Sequence, residues 1–140
     1  MGTGILDTMD LKVDAKKQQA LCKKYHLKLL ILHGSYVKGT ATQESDIDVG
    51  ILCQTKMERD ETLHLLGDFG EVFGEKFDPV FLNGAEPLIS YQVAMKGKPL
   101  FEAFPGAFSH FKVQAIGRYM DTKKFRDLEK HYIKRAIGKE

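Results

Sequence analysis

The sequence has no tryptophan, two cysteines and four prolines in 140 residues, and no purely apolar run longer than Leu29-Leu30-Ile31-Leu32. That run is far short of the ~20 apolar residues that cross a bilayer, so no transmembrane helix is expected. The start, Met1-Gly2-Thr3-Gly4-Ile5-Leu6, has neither a basic n-region nor a long apolar stretch. Leu6 also stands where a myristoylation signal needs Ser or Thr, and a cytoplasmic protein is the expectation. Cys22 and Cys53 are far apart, without a CxxC pair or metal-ligand spacing. A disulfide framework and a zinc site are therefore not expected, and two reduced, buried thiols are. There is no G-x-G-x-x-G dinucleotide fingerprint. The length fits one domain with a real core, residues 1–140, built on a nucleus of about 27–102 and a helical tail of about 107–137.

What is present is unevenly charged. The net charge of +2 averages a basic start (+3 over residues 1–28), an acidic middle (−6 over 29–111) and a basic end (+5 over 112–140). An acidic centre suits cations, and basic flanks suit phosphates or an acidic partner. No nucleic-acid motif accompanies the basic ends, so nucleic acid is not the expected partner.

Residues 1–9 read as a flexible lead. Val13, Ala20, Leu21 and Tyr25 recur near helical spacing, predicting a helix over about Asp10 to His26. Leu27 to His33 reads as a buried strand that Gly34-Ser35 ends, and Gly34 to Ser45 as a loop with one or two helical turns. Ile47, Val49 and Ile51 alternate with Asp46, Asp48 and Gly50, the period of a strand with two unlike faces. Thr55-Lys56-Met57-Glu58 fits a capping box for a helix presenting Leu63, Leu66 and Phe73 and stopping at Gly74. Phe77 to Leu82 is a third strand, and Pro79 within it removes a ladder donor, predicting an edge or a bulge. Pro87 to Lys96 reads as a helix, Lys98 to Glu102 as a short strand, and the remainder as a helical tail broken near Asp121-Thr122. The order implies an α/β (α+β) fold, a small mixed sheet with flanking helices.

The chemistry concentrates in Gly34 to Asp48. Residues two apart on a strand share a face, so Asp46 and Asp48 set two carboxylates side by side. Such a pair is favourable when a proton is shared or a hard divalent ion such as Mg²⁺ binds. The Gly34-Ser35 turn after a buried strand allows close backbone approach, and a helical turn there aims N–H groups at phosphate oxygens. A phosphate cradle facing carboxylates describes a nucleoside triphosphate held through Mg²⁺, and Asp78 on the next strand can add a third acid to that face. Gly34 to Gly39 also spells half a P-loop, but Thr40-Ala41 replaces the required Lys-Ser/Thr.

These residues, Gly34-Ser35 through Asp46-Ile47-Asp48 with Asp78 downstream, resemble the signature of the DNA polymerase β-like nucleotidyltransferase superfamily. The Gly-Ser-Tyr-Val-Lys-Gly form and the later Gly97-Lys98-Pro99-Leu100-Phe101-Glu102 look like its minimal nucleotidyltransferases (MNT), the antitoxins of two-gene modules with HEPN-domain toxins. Tyr36 and Lys38 stand where many members carry Arg. The resemblance implies an Mg²⁺-dependent nucleotidyltransferase that passes AMP from ATP to a hydroxyl of a partner HEPN toxin. It implies two Mg²⁺ ions on Asp46 and Asp48, with Asp78 ligating one of them and serving as general base. It also implies Gly34 and Ser35 on the β- and γ-phosphates, with Lys38 adding charge to the triphosphate. The alternatives are a non-catalytic, nucleotide-binding antitoxin acting by contact, or transfer to a small molecule such as an aminoglycoside.

His33, before the Gly-Ser turn, reads as a structural strand-end residue, and Arg126 to His131 matches the R-x₄-H motif of HEPN ribonucleases only by coincidence. Phe101, Phe104, Phe108 and Phe111 read as core or as a contact between copies in a homo-oligomer. Replacing both paired acids, Asp46→Asn with Asp48→Asn, is expected to abolish Mg²⁺-dependent transfer from labelled ATP without unfolding the chain. Unchanged transfer by the folded double variant would refute the assignment.

Overall fold

Leu27 and Leu29–Leu32 lose nearly all their solvent contact because their strand lies between two others and is covered on both faces. A computed structural model describes residues 13–138. In chain order it has α1 (Ala15–Lys24), β1 (Leu27–His33), α2 (Ser35–Lys38), β2 (Ile47–Cys53), α3 (Arg59–Phe73), β3 (Phe77–Phe81), α4 (Pro87–Lys96), β4 (Lys98–Glu102) and α5 (Ala107–Gly138). The sheet order is β3-β2-β1-β4. β1 runs antiparallel to β2 and β4, and β2 parallel to β3, giving the expected mixed sheet.

Two apolar layers hold the helices. Ile47, Val49 and Ile51 of β2, with Leu30 and Leu32 of β1, meet Cys22 of α1 and Leu65, Phe69 and Phe73 of α3. On the other face Leu29, Ile31 and Leu82 meet Val93 and Ala94 of α4 and Ala107, Phe111 and Ala115 of α5. Strict alternation would put Leu27 with Leu29, yet Leu27 belongs to the first layer. A register shift between Leu27 and Leu29 changes the phase, which is what a bulge does to a pleated strand.

Three local expectations change. The first described helix begins at Ala15, where Asp14 accepts hydrogen bonds from the backbone of Lys16 and Lys17. Asp10 to Lys12 of the expected helix, like the expected lead over residues 1–9, lies outside the described residues. At the other end Tyr25 caps the helix and His26 takes φ 54°, so Tyr25 and His26 fall beyond it. Ala20 is exposed, and Gln18 and Cys22 are buried in its place.

α3 starts at Arg59, behind an extended Glu58, and Thr55 makes no cap. Asp60 and Glu61 in the first turn favour the positive end of the helix dipole instead. Its buried stripe is Leu65, Phe69 and Phe73, with Leu66 packed partly against it, and of the expected residues Leu63 alone turns outward, 59% exposed. Tyr25, Phe69, Phe73 and Phe77 form a run of rings with centroids 6.4, 6.4 and 5.3 Å apart, and this run fixes that phase.

The tail is one helix with no break at Asp121-Thr122. The Thr122 hydroxyl donates to the Tyr119 carbonyl at 3.0 Å and accepts from Arg126 Nη1 at 3.0 Å, so it bonds within the helix rather than against it.

Other expectations hold. Pro79 lies on edge strand β3, and α4 and β4 have the expected bounds. Both cysteines are free and buried; burial pushes the Cys22 thiol up to about 12 and also raises that of Cys53, which leaves both unreactive. Phe69→Ala is expected to cost about 3–5 kcal/mol as a core truncation, whereas Leu63→Ser stays within about 0.5 kcal/mol of the parent. Urea denaturation midpoints of the two variants check the helix phase.

Candidate active site

β1 leaves the sheet at His33, and the chain turns at once. Gly34 has φ +77°, a region that favours glycine, and caps the four-residue helix α2. The backbone N–H groups of Val37 and Lys38 both return to the Gly34 carbonyl at 3.1 Å. Gly39, with φ 80° and ψ 17°, ends the turn in the left-handed region. A side chain at Gly34 would collide with Oδ2 of Asp48, so the turn's backbone lies directly against that carboxylate. Ser35 is half-buried and Lys38 exposed.

The acids arrive from neighbouring strands. Asp46 stands one residue before β2, where the Ile47 N–H donates to the Lys76 carbonyl at 2.7 Å and ties the entrance of β2 to that of β3. Asp48 sits opposite Asp78 in the parallel pair and opposite His33 in the antiparallel one. Ile47 and Val49 point into the α1/α3 layer, so Asp48 points to the other face, as Gly50 and Leu52 do. Val80 packs in that second layer, which places Asp78, two residues earlier, on the same face as Asp48. Asp46, Asp48 and Asp78 thus gather at one end of the sheet beside the Gly34 turn, with Asp46 and Asp78 exposed and Asp48 half-buried.

Electrostatics register the crowding. Asp48 is pushed up from an ordinary 3.8 to about 6, first by burial, then by its hydrogen bond to Asp78 and the charges of Asp78 and Asp46. His33 is shifted down by burial, opposed in part by Asp78. Its Nε2 is buried without a hydrogen-bond partner among the described residues. The sequence marked His33 only as a strand end; the register places it on the wall of the site, a relation that no local pattern carries.

Among the described residues no three His, Cys, Asp or Glu side chains are close enough to hold an ion by themselves. Mg²⁺ is commonly held by one or two carboxylates together with substrate phosphates and water. The donor set, all carboxylate oxygens beside a side-chain-free backbone turn, fits that mode. A hollow of about 710 Å³ next to Leu27, Gln54 and Phe101 lies at the opposite end of the sheet and takes no part.

The family model described as Polymerase beta, Nucleotidyltransferase matches residues 16–104. The chain belongs to this nucleotidyltransferase family. The match contains the Gly34 turn and all three acids and ends before α5. The protein adenylyltransferase MntA of Aphanizomenon flos-aquae is 31% identical over 117 residues, covering 74% of this chain and 76% of the relative. A crystal structure of a toxin-antitoxin with AMP-PNP shares the fold at TM-score 0.72 and 24% identity, covering 86% of this chain and 98% of the other. A chain of the structure described as tri-AMPylated Shewanella oneidensis HEPN toxin in complex with MNT antitoxin also shares the fold, at TM-score 0.65 and 22% identity, covering 85% of this chain and 94% of the other. No helix among the described residues of this nucleotidyltransferase is long and apolar enough to cross a membrane.

The folded chain holds the Asp48 proton more tightly than the unfolded chain does. That contribution to stability is complete below pH 3.8 and is lost as pH rises through about 6. In EDTA the nucleotidyltransferase is therefore expected to lose stability across this window, and Asp48→Asn to remove that part of the slope. Urea midpoints from pH 3.5 to 7.5, parent against variant, measure it.

Proposed function

We propose that the chain transfers AMP from ATP, with Mg²⁺, to a hydroxyl group of a HEPN-domain toxin, and that it acts in this way as the toxin's antitoxin. The observation that carries this reading is the gathering of Asp46, Asp48 and Asp78 against the Gly34-Ser35 turn. The names of the similar proteins support it: one is a protein adenylyltransferase, and another is bound to an AMPylated HEPN toxin.

In this reading Asp46 and Asp48 would hold Mg²⁺ together with the triphosphate, and Asp78 would also hold Mg²⁺. The chemistry Mg²⁺ would supply when bound is neutralisation of triphosphate charge and acidification of the acceptor hydroxyl. Gly34 and Ser35 bind the β- and γ-phosphates, with the backbone turn taking the close approach and the Ser35 hydroxyl donating. Lys38, exposed on α2, adds positive charge beside them.

Asp78 is exposed and so open to an incoming acceptor, whereas Asp48 is half-buried behind it. The acceptor hydroxyl gives its proton to the Asp78 carboxylate, and its oxygen bonds to the α-phosphorus. The bond from that phosphorus to the bridging oxygen breaks, and pyrophosphate leaves. The elevated Asp48 pKa comes first from burial and then from the neighbouring Asp78 and Asp46, and a nearby cation would favour the charged carboxylate.

The test is incubation with α-labelled ATP, Mg²⁺ and the product of the neighbouring gene, which this function requires to be a HEPN-domain protein. Label is expected on the HEPN protein, and Asp78→Asn should slow labelling by about 10²–10⁴-fold, the range for loss of a positioned base. An unlabelled HEPN protein, or equal labelling by the folded variant, would overturn the proposal.

A further inference from the structure

Beyond Tyr119, α5 leaves the rest of the molecule. The last ties are Arg118 Nη2 to the Ala85 carbonyl at 3.1 Å and the Tyr91 and Tyr119 rings stacked at 4.1 Å. From Met120 to Gly138 no residue is buried. This is a helical rod about 28 Å long. Most helical stability in proteins comes from packing an apolar face against a neighbour. Yet Phe125 is 74% exposed, Tyr132 71%, Ile137 65%, Leu128 55% and Ile133 54%, and none of the described residues covers them.

Their placement restricts what can cover them. At about 100° per residue, Phe125, Leu128 and Tyr132 fall within about 60° of arc, and Ile133 and Ile137 extend the apolar surface to about 180°. One packing helix matches a stripe of about 100°, so this surface calls for a groove that closes around the rod. Met120 to Gly138 also carries six Lys/Arg against three Asp/Glu, which favours an acidic rim and opposes pairing with a second copy of the same basic rod. Two such rods laid together would bury about 300 Å² each, well below the roughly 800 Å² per partner of a stable interface.

The rod also starts far from the chemistry. Ala85 follows β3, whose last residue pairs with Ile51 at the end of the sheet away from Asp48 and Asp78.

We propose that Met120–Gly138 is a docking arm that inserts into an acid-rimmed apolar groove of the acceptor protein, holding the acceptor while the carboxylate end of the sheet carries out transfer. This rests on the function proposed above, with the HEPN-domain toxin of that proposal as the acceptor. Holding the acceptor at one surface raises its effective concentration at the other.

Phe125→Ala with Tyr132→Ala removes two anchors and keeps the helix, because Ala is its best former. In the full chain this pair is expected to weaken binding of that HEPN protein by about a hundredfold, the scale of two lost interface anchors. It should raise the KM for adenylyl transfer correspondingly, with kcat at saturating acceptor and AMP-PNP affinity unchanged. Unchanged binding and KM would overturn the arm. So would a parent dimer that the variant dissociates, or amide protection of residues 120–138 in the free monomer. If the parent binds the HEPN protein without labelling it, and the variant loses that binding, the transfer reading fails and the arm stands.

Discussion

The packing of β1 on both faces is the constraint from which the remaining architecture follows. A strand with apolar side chains on each side needs a strand at either edge and a helical layer above and below, and this chain supplies all four. Alternation divides the strand's side chains between the two layers, and the bulge near Leu27 moves that residue into the first. Because β1 is held so firmly, the point where it stops is fixed too, and Gly34 turns the backbone there against Asp48. The site is therefore placed by the same burial that stabilises the fold, and its backbone turn inherits the rigidity of the central strand.

At that point stability and function oppose each other. Asp48 and Asp78 lie in register on parallel neighbours, so the sheet itself brings two like charges together. In water a fold gains nothing from this arrangement, and the raised Asp48 pKa records the repulsion and burial it must bear. Apolar residues at both positions would relieve the strain. His33 adds a further polar group at the same wall with an unpartnered buried nitrogen. A concentration of unfavourable polar terms at one end of the sheet marks it as the candidate site.

The molecule also separates its tasks along its length. The family match ends at residue 104, and the acids and the turn lie within it. α5 begins after it and uses Ala107, Phe111 and Ala115 to complete the second apolar layer before running out into solvent. One helix thus belongs to the core at its start and to the surface at its end, which is why its overall apolar pattern reads as neither.

Much of this was legible in the amino-acid sequence. The alternation around Asp46 and Asp48, the Gly34-Ser35 break after an apolar run, and Pro79 on an edge strand are local signals, since periodicity and backbone chemistry act over a few residues. Where two local readings competed, the sequence alone misjudged them. Thr55 looked like a cap and Leu63 like core, but Phe69 and Phe73 stack with Tyr25 and Phe77 from other elements and set the α3 phase. Thr122 looked like a break, but its hydroxyl found partners inside the helix. The sequence by itself determined the kind of element on which Gly34, Asp48 and Asp78 would lie. Only tertiary structure decided that Asp78 and His33 flank Asp48, and that the far half of α5 stands clear of the sheet. Strand order and register depend on the summed burial of both layers, which no short stretch of the chain encodes.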